Sequence, residues 1–449
     1  MLGAVLGLAA VALAGCGTAR LAAAPGSSPA ASVRAPAGSA VRLVSEVVPA
    51  AGAIPRGFRP QSVTFVSAGL GWVLGFAPCS SPPCTSVLRT RDGGRRWRGI
   101  PAPRVRLAGP LPGFNYTHGN VSLLRFADSR DGWAFGPDLQ STHDGGAHWH
   151  AVSLPGARPS VIDLATAGGL TDAVMRQRGG AVSLYSTVVH ADRWRPVLSL
   201  PSSQYVGDQL VLHGHAGWVL STTGTEEGPA SFTLYATTDG EHWARRTVPC
   251  ARAVNDGDIR LDDEAALAAA STRDLILICA GDLGLGGSQK RAYVSHDAGR
   301  HWLRRGQPST GGLDLSPPVA AASPSTAVMP ESSSLGVLDG SFDGGRHWRE
   351  VLSLRNGGEG WSDFGFTTPR QGVAVEATLP ATPPMTPGPQ FAATNLTCLM
   401  DFSALSWLYP LKPGLQLHQP ELEGRAGCFR RATAAGIGIS CGSLRSSAG

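Results

Sequence analysis

The chain has 449 residues, with 38 Lys+Arg against 33 Asp+Glu and a formal charge of +5. So small an excess, with no basic stripe along the chain, excludes a nucleic-acid binder. Charged residues make up only 16%, and 58 Gly with 34 Pro make the chain rich in turns, but 42% hydrophobic content and 11 Trp exclude a disordered protein.

Residues 1–15, MLGAVLGLAAVALAG, are an unbroken run of apolar and small residues. A bilayer span needs about 20 residues, so the run has instead the length of a signal-peptide core. No Lys or Arg precedes it, although signal peptides normally begin with positive charge. The run closes on Leu13-Ala14-Gly15-Cys16, which resembles a bacterial lipobox. The resemblance implies that Cys16 accepts a diacylglycerol, and two or three acyl chains there give stable attachment to the extracytoplasmic face of the cell membrane. Residues 16–57 are rich in Ala, Pro, Ser and Gly and read as a tether with a reach of about 35 Å, although 41–48 has the composition of a strand.

A box then recurs: Thr90-Arg-Asp92-Gly-Gly94-Arg-Arg-Trp97, Thr142-His-Asp144-Gly-Gly146-Ala-His-Trp149, Ser295-His-Asp297-Ala-Gly299-Arg-His-Trp302 and Ser341-Phe-Asp343-Gly-Gly345-Arg-His-Trp348. A copy one residue short is Thr237-Thr-Asp239-Gly240-Glu-His-Trp243, and decayed copies run from Thr187 to Trp194 and from Asp401 to Trp407. The Trp positions 97, 149, 194, 243, 302, 348 and 407 step by 45 to 59 residues, the period of a propeller blade. Each box sits between two β runs. Its Asp is expected to accept backbone N–H groups, its Gly to supply positive φ, and its Trp to cover the hairpin.

A second unit precedes several boxes, as in Ser62-Val-Thr-Phe65 with Gly71-Trp72, Leu123-Leu-Arg-Phe126 with Gly132-Trp133, and Gly217-Trp218. Each reads as two more short strands. The expected fold is therefore all-β: a single seven-bladed β-propeller of four-stranded antiparallel blades over 58–411, with a divergent tail at 412–449 that carries no box.

The pattern resembles the Asp-box, or BNR, repeat of sialidase-like propellers, and the exported bacterial propellers grouped with the photosystem II assembly factor. The resemblance implies a binding or assembly scaffold for a protein, peptide or glycan, monomeric, without cofactor or metal. The alternative is a glycoside hydrolase of the exo-α-sialidase type. That reading needs an arginine triad, a Tyr-Glu nucleophile pair and an Arg-Ile-Pro motif. The nearest string here is Phe58-Arg59-Pro60, and none of the six Tyr has an evident Glu partner. Box carboxylates read as structural, so no catalytic residue is assigned. Asp128, Asp131 and Asp363 are the carboxylates that inner loops could offer for hydrolysis, and Arg125, Asp128, Arg130 and Asp131 are the loop charges that suit binding.

Of eight Cys, Cys16 is assigned to lipid. Cys79 and Cys84 form a short loop that reads as a local disulfide in an exported protein, and Cys250 with Cys279 is the next pair. Cys398, Cys428 and Cys441 leave one unpaired. His148, His242, His301 and His347 each precede a box Trp, and His143 and His296 precede a box Asp. All six read as solvent-exposed repeat positions. His213-Gly-His215 lacks further ligands at metal spacing.

Overall fold

A computed structural model describes residues 52–80, 83–108, 118–156, 158–202, 208–224, 230–251, 261, 264–284, 287–309, 319–332, 336–354, 360–376, 395–401, 427–433 and 436–442. The lipobox, most of the tether and the decayed box beyond Asp401 lie outside these residues.

Six sheets are four-stranded and antiparallel, with strands in chain order, over residues 59–100, 123–151, 160–200, 209–246, 264–304 and 320–353. They are blades 1 to 6. The first strands of these blades are Arg59–Phe65, Leu123–Phe126, Ser160–Ala167, Gln209–His213, Glu264–Ala269 and Ala320–Ser323, and each lies against the next. Strand Trp361–Thr368 follows the sixth and returns to Arg59–Phe65, closing the ring.

The expectation of seven four-stranded blades is corrected: six blades have that form. The closing sheet has five strands, Trp361–Thr368, Gln371–Glu376, Asn395–Asp401, Gly427–Thr433 and Gly436–Gly442. The physical reason lies in the partner of its third strand: the edge of Asn395–Asp401 is taken by Gly427–Thr433, which itself pairs with Gly436–Gly442, so residues from the tail add a fourth and a fifth strand.

The core lies between blades. Trp72 and Leu74 of blade 1 pack on Leu124 and Phe126 of blade 2, with the Trp72 and Phe126 rings stacked at 3.8 Å. Trp133 and Phe135 of blade 2 pack on Leu164, Ala173 and Met175 of blade 3. Val373 and Val375 of the closing sheet meet Val63 and Val73 of blade 1, so the seam is sealed by the same apolar contact. Each fully buried side chain of this size is worth about 2–3 kcal/mol.

The boxes tie the outer hairpins as expected from their residues. In the first, Thr90 Oγ1 accepts the Gly94 N–H at 2.9 Å and donates to Asp92 Oδ1 at 3.0 Å. Asp92 Oδ1 also accepts the Arg96 N–H at 2.8 Å. Asp144, Asp239, Asp297 and Asp343 accept the N–H of His148, His242, His301 and His347 in the same way. The chain at Gly93 and Gly94 has φ of +71° and +82°, which only glycine adopts without strain. Trp97 is buried, whereas Trp149, Trp243, Trp302 and Trp348 are half-buried. Cys79 is bonded to Cys84, and Cys250 to Cys279.

Indoles of the Gly-Trp units reach across to the next blade. Trp72 Nε1 donates to the Gly145 carbonyl at 3.2 Å, and Trp218 Nε1 to the Ala298 carbonyl at 3.1 Å. Both acceptors belong to the box of the following blade. Blade 3 has no such indole. Asp172 stands in the corresponding place, with Ser186 as its register partner. Burial pushes its carboxyl up to about 6, against the Ser186 hydroxyl and the Arg195 charge, and its Oδ1 has no hydrogen-bond partner among the described residues.

Candidate functional site

Two groups of polar residues stand out, one on the first strands and one on the rim. On the first strands, Asp363 Oδ2 accepts the Ser62 hydroxyl at 2.8 Å, the Val63 N–H at 3.0 Å and an Arg125 N–H at 3.3 Å. Ser62 Oγ in turn accepts the Leu124 N–H of blade 2 at 3.0 Å. Asp163 accepts the Leu210 N–H at 2.8 Å, from blade 3 to blade 4. Gln209 then spans to blade 5, accepting the Leu267 N–H and donating to the Ala265 carbonyl. Burial pushes the Asp163 carboxyl up, with Asp363 adding to the rise, while the Leu210 N–H and Arg125 oppose it. These carboxylates are committed to backbone groups of neighbouring blades. Arg125 and Asp363 thus sit on strands, not on the loops where sequence reasoning put them.

The rim group lies between blades 2 and 3. Asp131 closes the turn after Leu123–Phe126 and is nearly fully buried. Its Oδ1 lies 2.6 Å from His143 Nδ1, and its Oδ2 lies 2.8 Å from His190 Nδ1. His143 Nε2 lies 3.2 Å from Asp192 Oδ2, which also accepts the Ser141 hydroxyl at 2.6 Å. Trp133 Nε1 donates to Asp192 Oδ1 at 3.2 Å. Burial pulls the His143 imidazole down, but the hydrogen bonds and charges of Asp131 and Asp192 prevail and raise it. Asp128 Oδ1 accepts the N–H groups of Arg130 and Asp131. Burial raises its carboxyl, yet those bonds and the His190 charge leave it below its ordinary value.

Beside this group is a hollow of about 170 Å³ lined by Asp128, His190, Val189 and the Thr166–Gly169 turn. The local reason is the decay of the third box. Thr187 still accepts the Arg193 N–H and donates to the Ala191 carbonyl. The box Asp has given way to Val189 and the two Gly to His190 and Ala191, and both His190 and the nearby Asp192 bond to side chains of blade 2. Among the described residues, Asp128, Asp131 and His190 are the set whose donor atoms converge as metal ligands do.

The remaining candidate residues are dispersed. His148, His242, His301 and His347 are exposed as read from sequence, each with Nδ1 against Oδ2 of its own box Asp. His143 is corrected: it is half-buried between Asp131 and Asp192, because the decayed box supplies a second carboxylate. His296 pairs with Asp274 at 2.7 Å. His213 and His215 flank the tight turn at Gly214, and His215 lies against Gly168, which lines the hollow. Sequence reasoning missed His190 and Asp192; the signal was that the third box keeps its Thr and Trp while its first Gly becomes His190 and the variable position after the second becomes Asp192.

No family model matches the chain, and no curated protein does. Among solved structures it is similar to "YCF48 bound to D1 peptide", at 19% identity and TM-score 0.45 over 72% of this chain and 92% of that one. It is also similar to "YCF48 from Cyanidioschyzon merolae", at 20% identity and TM-score 0.43 over 72% of this chain and 94% of that one. A puromycin-hydrolysing peptidase of Mycobacterium tuberculosis matches at 13% identity and TM-score 0.47, over 72% of this chain and 53% of that one. The β-propeller assignment rests on the sheets themselves.

Proposed function

We propose that the chain is a lipid-anchored, extracytoplasmic binding scaffold, held by acyl chains on Cys16 and docking a protein, peptide or glycan at the rim between blades 2 and 3. The observation that carries this reading is Asp131. A buried carboxylate holds two imidazoles, one of which, His190, lines a surface hollow, so the polar array is assembled before any partner arrives. Both imidazoles are committed to carboxylates and the Ser141 hydroxyl to Asp192, an arrangement suited to recognition rather than to nucleophile activation. The Cys79–Cys84 and Cys250–Cys279 bonds support an oxidising compartment.

Replacing Cys16 with Ser should release the protein from the membrane fraction; a variant that still sediments with membranes places the anchor elsewhere. A photo-crosslinker at Ser129, exposed beside Asp128, should give a discrete adduct in intact cells that Asp131→Ala abolishes. Absence of an Asp131-dependent adduct refutes docking at this rim. Robust turnover of a fluorogenic sialoside would overturn the non-enzymatic reading in favour of a sialidase-type hydrolase.

A further inference from the structure

The rim group carries more than a docking surface. We propose that Asp128, Asp131 and His190 form a binding site for one divalent first-row transition ion, with Zn²⁺ as the chemical type. The proposal concerns the same rim as the docking reading but does not depend on it.

The donor set comes first. One atom from each of these residues lies within 4.8 Å of the others. Two carboxylates and one imidazole are ligands that zinc takes readily, whereas an all-oxygen set would suit calcium or magnesium. His190 is well exposed, so its ring is free to swing onto an ion without disturbing the core.

The support behind the ligands comes second. Metal ligands work best when other groups fix their orientation. Asp131 is buried and held by His143 on its other oxygen. His143 is braced by Asp192, and Asp192 by the Ser141 hydroxyl and the Trp133 indole. Asp128 is held through the Arg130 and Asp131 N–H groups, which occupy Oδ1. The 170 Å³ hollow on the Asp128 and His190 side leaves room for water, or for a partner's own donor, to complete the coordination. On loading, the contact between His190 Nδ1 and Asp131 Oδ2 is replaced by bonds from each to the ion.

The contrast with the rest of the ring comes third. His148, His242, His301 and His347 also pair with an Asp, but each pair stands with one carboxylate. Only where the third box has lost its Gly do two carboxylates and an imidazole from different blades meet, among the described residues.

The test is metal binding by the full chain, purified in detergent, stripped with a chelator and dialysed against Zn²⁺ alone. One equivalent of zinc per chain should be retained at micromolar free metal, with a rise in thermal midpoint. His190→Ala, at an exposed position that leaves the fold intact, should weaken binding at least 10-fold, and Asp131→Asn likewise. His143→Ala should weaken it 10- to 100-fold through loss of orientation. His148→Ala and His301→Ala together should change nothing. Failure to retain stoichiometric zinc overturns the proposal. So does undiminished binding by His190→Ala, zinc that follows His148 and His301 instead, or a preference for Ca²⁺ over Zn²⁺.

Discussion

The carboxylate of Asp363 receives the hydroxyl of Ser62 at 2.8 Å across the seam where the end of the ring meets its beginning. The two residues are 301 positions apart, so this bond forms only when the whole circle has closed. Replacing Asp363 with Ala leaves the Ser62 hydroxyl and the Val63 N–H unpaired in a buried place. Each such group costs about 1–3 kcal/mol, so the variant should lose about 3 kcal/mol in denaturant unfolding. Ser62→Ala keeps the Val63 bond but leaves the buried Leu124 N–H unpaired, so it should lose about 1–3 kcal/mol. A loss under 0.5 kcal/mol for Asp363→Ala would mean the seam is held by its apolar contacts alone.

Asp172 gives a prediction with a sign. Its carboxyl is raised to about 6 in the fold, so the folded state holds the proton more firmly than the unfolded chain does. Its stabilising protonation is fully present below about pH 4 and is lost as pH rises through 6. Asp172→Asn, which carries no charge, should therefore stabilise the protein at pH 8 by on the order of 3 kcal/mol and match wild type near pH 4. Equal thermal midpoints for the two proteins at pH 8 would show that Asp172 is not desolvated.

The second box titrates the other way. Burial raises the Asp144 carboxyl, but the N–H and ring of His148 and the Thr142 hydroxyl outweigh it and hold it at about 2. A depressed carboxyl contributes stability above about pH 4 that is lost as pH falls toward 2. Asp144→Asn should flatten the decline in thermal midpoint over that interval. An unchanged slope would mean that other acids govern it.

Cys250 and Cys279 join residues 29 apart. Opening a loop of that length costs about 3.6 kcal/mol in the chain-entropy account. Cys250→Ser with Cys279→Ser should lower the denaturation midpoint accordingly, and reductant should then have little further effect. The Cys79–Cys84 loop closes only 5 positions and should matter less.

Much of this architecture is legible in residue order because its signals are local. A Thr or Ser, an Asp and a Gly within five positions make their own turn, and Thr90, Asp92 and Gly94 do so whatever surrounds them. The closing sheet departs from the expectation because its last two strands come from the tail beyond its box, and that pairing is chosen by partners distant in sequence. The rim group was illegible for the same reason. His143 and Asp192 are 49 positions apart, and Asp131 and His190 are 59 apart. Only the stagger of blade 3 against blade 2 puts them in contact. Arg125 counts among the loop charges by its charge alone, although its run reads as a strand, and on that strand it donates to the Leu124 carbonyl and Asp363.

The exchange of indole for carboxylate at Asp172 gives the circle a direction in which to fail. Blades 1, 2 and 4 are each latched to the following hairpin by a ring nitrogen, while blade 3 carries in the corresponding place a carboxyl that prefers water once it ionises. The rise of pH through 6, rather than strong alkali, therefore weakens the ring at blade 3.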